Sequence, residues 1–160
     1  LGVAVVADIE WSIGEETEAL LAAADHLVLP LAFGKSATGR MQPDEILSAL
    51  WSATRAAVVL TDGAQGAWLR QRADAALWHI PAHPVVAVDT TGAGDCFHGA
   101  YALALAEGSA PLQAAQYAGA AAAIAVTGRG GRASLPDHAT CTEWMARDTA
   151  PKPARLQVNV

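Results

Sequence analysis

The stretch 85–99, Val-Val-Ala-Val-Asp-Thr-Thr-Gly-Ala-Gly-Asp-Cys-Phe-His-Gly, concentrates the chemistry of this chain. An apolar run that reads as a buried strand passes into a polar turn with two glycines, and the turn passes into a helical pattern. The first amides of a helix find no acceptor inside it and sit at the positive end of its dipole, so such a turn attracts anions. Gly92 and Gly94 carry no Cβ, can take positive φ and let the backbone approach a phosphate closely. Gly92, Ala93, Gly94 and Asp95 can therefore turn successive N–H groups toward one anion, beyond the carboxyl end of a strand, where α/β sheets place their ligands. Asp95 admits two readings: a helix-capping aspartate, or a carboxylate that holds a hydroxyl nucleophile and accepts its proton during phosphoryl transfer. Thr90 or Thr91 is expected to cap the helix, which leaves Asp95 for the second role. The dipole that stabilises its charge also weakens it as a base. Phosphoryl transfer tolerates this, because its loose transition state asks mainly for positioning.

The elements around that turn read as alternating strands and helices. Residues 3–7, 26–29 and 57–61 are short apolar runs that suit buried parallel strands, the first of them as a central strand. A helix is predicted over 14–24, with Glu15, Glu16 and Glu18 in its first turns, and another from Pro43, a residue that favours the first turn. Residues 62–66 carry turn chemistry, and 67–69 return as a strand, giving a hairpin. Residues 77–80 and 85–88 follow as further strands. A helix then runs through Glu107 and a second, alanine-rich one from Pro111 to about Val126. Residues 127–134 form a Gly/Arg loop, a short helix spans about 142–147, and residues 151–160 are expected to be a mobile tail. This alternation predicts an α/β layered fold with helices on a mostly parallel sheet, read as one domain over 1–150. Because the chain opens directly in an apolar strand, it is expected to be the C-terminal part of a longer protein.

Composition narrows the function. The 160 residues are 52% hydrophobic and 16% charged, with net charge −6. That is too apolar for a disordered chain, and long enough for one core. Lys35 and Lys152 are the sole lysines and the arginines are scattered, so no basic stretch meets a nucleic acid. No apolar run reaches the ~20 residues of a membrane helix, and no basic-then-apolar leader is present. Cys96 and Cys141 read as two reduced thiols of a cytoplasmic protein.

The run Asp89-Thr90-Thr91-Gly92-Ala93-Gly94-Asp95, followed by Cys96-Phe97-His98-Gly99-Ala100, resembles the C-terminal signature of the ribokinase-like, or PfkB family, carbohydrate kinases. The resemblance extends from the strand at Val5 to the Ala-Ser-Leu-Pro stretch ending at Pro136, and covers the C-terminal half of such kinases. It implies a three-layer ribokinase-like sandwich whose N-terminal part and β lid lie outside this chain. It implies ATP-dependent phosphorylation of a sugar hydroxyl, with Asp95 as the base and Gly92, Ala93 and Gly94 as the anion hole. Thr61, Gly63 and Gly66 match the segment that contacts the nucleotide. Residues 79–84 and the helix around Ala118 and Ala122 would flank the adenine. Asp89 and the Thr91 carbonyl, with Ala125, Gly128, Gly130 and Ser134, match positions that hold a monovalent cation such as K+. Asp89 reads equally as an anchor that secures the turn. The missing lid implies a possible homodimer, and the isolated fragment is expected to be inactive and to expose an apolar sheet edge.

Many family members carry Asn-x-x-Glu after the second strand, but Leu31 and Gly34 stand there. This tilts the acceptor toward a ketose and leaves Mg2+ held mainly through nucleotide and water. Two alternatives share the motif: a nucleoside kinase of the same superfamily, and a non-catalytic nucleotide or sugar-phosphate-binding module, for which Arg129 and Arg132 beside the glycine loop would also serve. Other motifs carry less. Gly34-Lys35-Ser36 imitates the end of a P-loop, but Leu29 replaces its first glycine, so it reads as a solvated turn. Gly92-x-Gly94-x-x-Phe97 lacks the third glycine of a dinucleotide fingerprint. His79 and His83 are separated by Pro81 and share no helix face. Cys96 and the dispersed tryptophans read as packing residues.

Overall fold

A computed structural model describes residues 3–12, 14–74 and 76–156. The chain divides into two compact units, one taking the chain up to Asp62, Trp68–His79 and the chain from Ala154, the other Gly63–Ala67 and Ile80–Pro153. The division runs through the ends of two strands rather than through a linker.

The first unit is built on a six-stranded sheet in the order β1 (Val6–Asp8), β2 (His26–Pro30), β3 (Ala57–Thr61), β4 (Ala67–Gln71), β5 (Leu77–Ile80) and β6 (Ala154–Leu156). β2 pairs in parallel with β1, Val6 opposite His26, and with β3, Leu27 opposite Val58. β5 and β6 are antiparallel, Trp78 opposite Arg155, so the sheet is mixed. β2 and β3 are continuous apolar runs because both of their faces are covered: Leu27, Val28, Leu29, Val58, Val59 and Leu60 have no exposed surface. β4 alternates instead, burying Ala67, Leu69 and Gln71 while Arg70 lies over the Trp51 ring at 4.7 Å.

Helices α1 (Glu15–Ala23), α2 (Leu31–Thr38) and α3 (Pro43–Ala49) belong to this unit. Pro43 occupies the first turn of α3 as predicted, and Ile46 and Leu47 are fully buried in the core with Leu27, Leu29 and Leu60. The buried Arg55 ties the unit's helix ends. Its guanidinium donates to the carbonyls of Leu21, Ala24 and Leu50. These carbonyls close α1 and α3, neither of which has a basic residue in its last turn.

Four expectations are corrected here. β1 stands at the sheet edge rather than in its centre, with Val3 79% exposed and Val5 49% exposed. The expected turn around Lys35 is the middle of α2. Pro30 ends β2 and serves as the extended N-cap of that helix, and Gly34 packs so closely that a Cβ would lie 2.8 Å from Ile46 and 3.1 Å from Leu60. Residues 85–88 form no strand: Val86 is 85% exposed, and the Val88 and Asp89 amides both donate to the Val126 carbonyl, a turn partner rather than a ladder. Of the tail expected over 151–160, Ala154–Leu156 form β6, because β5 offers them an edge, and 157–160 lie outside the described residues.

The second unit holds α4 (Ala93–Ala106), α5 (Pro111–Ala125) and α6 (His138–Ala146). The boundaries of α4 and α5 follow the sequence prediction within a residue, while α6 begins earlier, at an Asp137 cap whose carboxylate accepts the Thr140 amide. α4 packs along α5 and α5 along α6. Ala114, Ala115, Ala118, Ala120, Ala121 and Ala123 are buried on α5, and their small side chains let these helices approach closely. No helix among the described residues is long and apolar enough to cross a membrane.

Candidate functional site

The glycine turn heads α4 as its sequence demands. Gly92 is the N-cap residue in the left-handed conformation, φ 73°, and neither Thr90 nor Thr91 caps the helix. Gly92 holds the cap position in place of a threonine, and the Thr91 amide donates to Asp89 Oδ1 at 2.9 Å. Of the amides expected to form the anion hole, the Ala93 N–H donates to the Thr90 carbonyl at 3.1 Å. That leaves the amides of Gly92, Gly94 and Asp95 with no acceptor among the described residues. Asp95 lies in the first turn of α4, exposed, and its carboxylate neither caps the helix nor meets a described protein partner.

Asp95 and Gly92 line a cavity of about 440 Å³ enclosed by α4, α5, α6 and the 131–136 loop. Cys96, Gly99, Ala100 and Leu103 continue its wall along α4, and Tyr117, His138 and Cys141 close the far side. Asp95 and Arg132 are charged residues of its lining, and Ala100, Ala121 and Leu135 are apolar ones. Burial and the neighbouring Cys141 push the Cys96 thiol up, so it is no ready nucleophile. Burial also pushes the Tyr117 hydroxyl up to about 12. Tyr117, His138 and Cys141 were invisible as site candidates in the sequence, since nothing in their local pattern separates a cavity wall from a core.

Asp89 secures the turn. Its Oδ1 accepts the Thr91 amide and its Oδ2 accepts the Gly130 amide, each at 2.9 Å. These hydrogen bonds pull the carboxyl down to about 2. The 127–131 loop is pressed onto the helix head. A Cβ on Gly92 would lie 3.2 Å from Gly131 Cα, and one on Gly131 would lie 3.2 Å from the Thr91 carbonyl oxygen. Gly128 abuts Ser134, whose side chain would collide with any Cβ there. Of the expected cation ligands, the structure thus joins Asp89, Thr91 and Gly130 in one knot and sets Gly128 on Ser134. Ala125 closes α5 one residue before the Val126 carbonyl that takes the Val88 and Asp89 amides.

The expected nucleotide positions fall as follows. Thr61 ends β3 opposite Pro30. Gly63 opens a single 3-10 turn, and the Gly66 amide returns to the Gly63 carbonyl at 3.0 Å. Gly66, φ 89°, lies so tightly on residues 80–82 that a Cβ would sit 2.7 Å from the Ala82 nitrogen. Ala118 is completely buried and Ala122 half-buried, so on α5 it is Gln116 and Gly119 that reach a small hollow of about 20 Å³ with Ile80, Pro81 and His83. Met145, Ala150 and Pro151 complete that hollow, and none of them is signalled by the sequence. Among the described residues no three carboxylate, histidine or cysteine side chains gather as a metal cluster. Leu31 and Gly34 fill the two positions of the missing acidic motif within α2, both buried.

A sequence profile described as pfkB family carbohydrate kinase matches residues 2–138. The chain belongs to that family. It is 38% identical to the ribokinase of Bacillus subtilis over 104 residues, which are 65% of this chain and 35% of that one. Its fold, an α/β arrangement around the mixed sheet, is that of the ribokinase-like proteins. The crystal structure of a Thermotoga maritima ribokinase superposes with a TM-score of 0.78 at 29% identity, covering 92% of this chain and 50% of that one. The Arabidopsis thaliana ribokinase, solved in complex with ribose and ATP, gives 0.79 at 26% identity, covering 92% and 49%. The chain thus spans about a third of that Bacillus relative and half of these solved kinases.

Proposed function

We propose that the intact protein transfers the terminal phosphoryl group of ATP to a hydroxyl of a small sugar, with Asp95 as general base. The observation that carries this reading is the head of α4: a carboxylate and three amides with no partner among the described residues, with Gly92 and Asp95 on the wall of one cavity. The acceptor oxygen attacks the terminal phosphorus, the bond from that phosphorus to the ADP oxygen breaks, and the hydroxyl proton passes to Asp95. The unpaired amides of Gly92, Gly94 and Asp95 meet the charge on the phosphoryl oxygens, a role that needs donors fixed in advance. Asp89 fixes them, because it ties Thr91, just before the turn, to Gly130 of the 127–131 loop. Mg2+ carried on the nucleotide would offset phosphate charge, and the knot around Asp89 is where K+ would brace the turn.

The relatives' names favour a pentose acceptor over the ketose suggested by the missing acidic motif. Ribokinases from several organisms match, and one of the solved relatives holds ribose and ATP. The test is ADP formation by the intact protein with ribose, deoxyribose, fructose and nucleosides as acceptors. Sugar-dependent ADP release is expected. A binding module releases none, and a nucleoside kinase responds to nucleosides alone. Asp95→Asn is expected to lower kcat by about 10²-fold or more with nucleotide affinity kept, since such proton transfer contributes roughly 10²–10⁴-fold. Normal turnover of that variant removes Asp95 as the base.

A further inference from the structure

Among the described residues Arg132 is the one lysine or arginine on the wall of the Asp95 cavity. Its backbone is held against the helix head by the two residues before it: the Gly130 amide donates to Asp89, and Gly131 rests on Thr91 and Gly92. Its guanidinium has no acceptor, carboxylate or aromatic face among the described residues, and no ion pair joins it to Asp95, which lines the same cavity. An unpaired cation lining the same cavity as Gly92 and Asp95 makes a site richer in positive charge than a helix end alone. It is complementary to a group bearing several anionic oxygens.

We infer that Arg132 is a catalytic residue that binds the oxygens of the migrating phosphoryl group, opposite the amides of α4. This rests on the kinase reading above. In a loose transition state the charge lies on three equatorial oxygens, and a guanidinium fork offers them two donors at once. Three backbone amides offset part of that charge, and Arg132 adds the one lysine or arginine charge that the described residues place on the cavity wall. The same guanidinium could instead hold an anionic substituent of the acceptor, and the kinetics separate the two.

The test compares Arg132→Ala, Arg132→Gln and Arg132→Lys in the intact protein. Because Arg132 is exposed, all three are expected to keep the wild-type Tm. For Arg132→Ala, kcat is expected to fall about 10²-fold, the scale of losing one transition-state donor, while the acceptor KM changes less than about threefold. Added guanidinium ion should restore part of that loss in Arg132→Ala and none of it in Asp95→Asn. ADP with tetrafluoroaluminate, a mimic of the migrating group, should bind Arg132→Ala about 10²-fold more weakly, with ADP alone little changed. A kcat within about threefold of wild type overturns the inference, as does a loss confined to the KM of anionic acceptors. Should the wild-type protein release no ADP with any acceptor, the kinase reading falls. Calorimetric titration with inorganic pyrophosphate then decides Arg132 by itself: an affinity about tenfold lower in Arg132→Ala supports an anion contact, and an unchanged affinity refutes it.

Discussion

Arg55 and Asp89 each tie distant backbone together, and they do it with opposite charges. In the first unit Arg55, 6% exposed, donates to carbonyls at the ends of α1 and α3. In the second, Asp89 accepts amides from Thr91 and Gly130. Each answers what a helix end or turn leaves unpaired: carbonyls at C-termini, amides at a turn. The surroundings make the outcomes differ. Arg55 sits among buried side chains, so its hydrogen bonds stabilise a core. Asp89 sits at the surface, so its hydrogen bonds set the shape of a loop. One anchor serves stability, and the other serves the geometry of the helix head beside Asp95.

Removing the buried anchor should give the largest change in stability. Arg55→Met leaves three carbonyls without their donor and is expected to cost about 3 kcal/mol, read as a lower urea midpoint. The pyrophosphate affinity of folded protein should stay near wild type. A small shift in midpoint would break the contrast, by showing that water reaches those carbonyls.

Gly92→Ala comes next. It puts a Cβ on a residue at φ 73° and within 3.2 Å of Gly131, so about 1–2 kcal/mol is expected from the left-handed backbone. Here anion affinity should fall along with stability, because the same residue caps the helix and offers an amide. Affinity unchanged at lower stability would place the anion elsewhere.

The smallest global effect belongs to Asp89. Its folded carboxyl is pulled down to about 2 from an ordinary 3.8 by the Thr91 and Gly130 amides. A depressed acid stabilises the fold above pH ~4 and loses that contribution as pH falls toward 2. Carbon NMR of the Asp89 carboxyl should therefore titrate near 2. Asp89→Asn should speed hydrogen exchange at Thr91 and Gly130 while leaving the Arg55 region protected. Titration at an ordinary carboxylate value, or exchange that quickens equally in both regions, would erase the distinction.

How much of this was legible beforehand depends on the range of the interactions. β2 and β3 were readable because an unbroken apolar run leaves little alternative to a doubly covered strand. The α3 start was readable from Pro43, and the head of α4 from two glycines before an apolar helical pattern. Residues 85–88 show where the same reasoning stops. Their β-branched pattern matches that of β3, but a strand needs a partner, and Val126 intercepts their amides. Lys35 shows the converse, since Gly34 suggested a turn and instead lets α2 pack on Ile46 and Leu60.

By itself the sequence determined the family, the places of β2, β3, α3, α4 and α5, and the meeting of glycines with Asp95 at one helix head, because these depend on neighbours a few residues apart. The tertiary structure alone decided which amides at that head stay unpaired, that Ala93 does not contribute one, that Arg132 shares the cavity with Asp95, and that Arg55 rather than a local cap closes α1 and α3. These outcomes join residues such as Asp89 with Gly130 and Leu21 with Arg55, 41 and 34 positions apart. No local pattern encodes such pairs; they form only when packing has brought the segments within hydrogen-bonding distance.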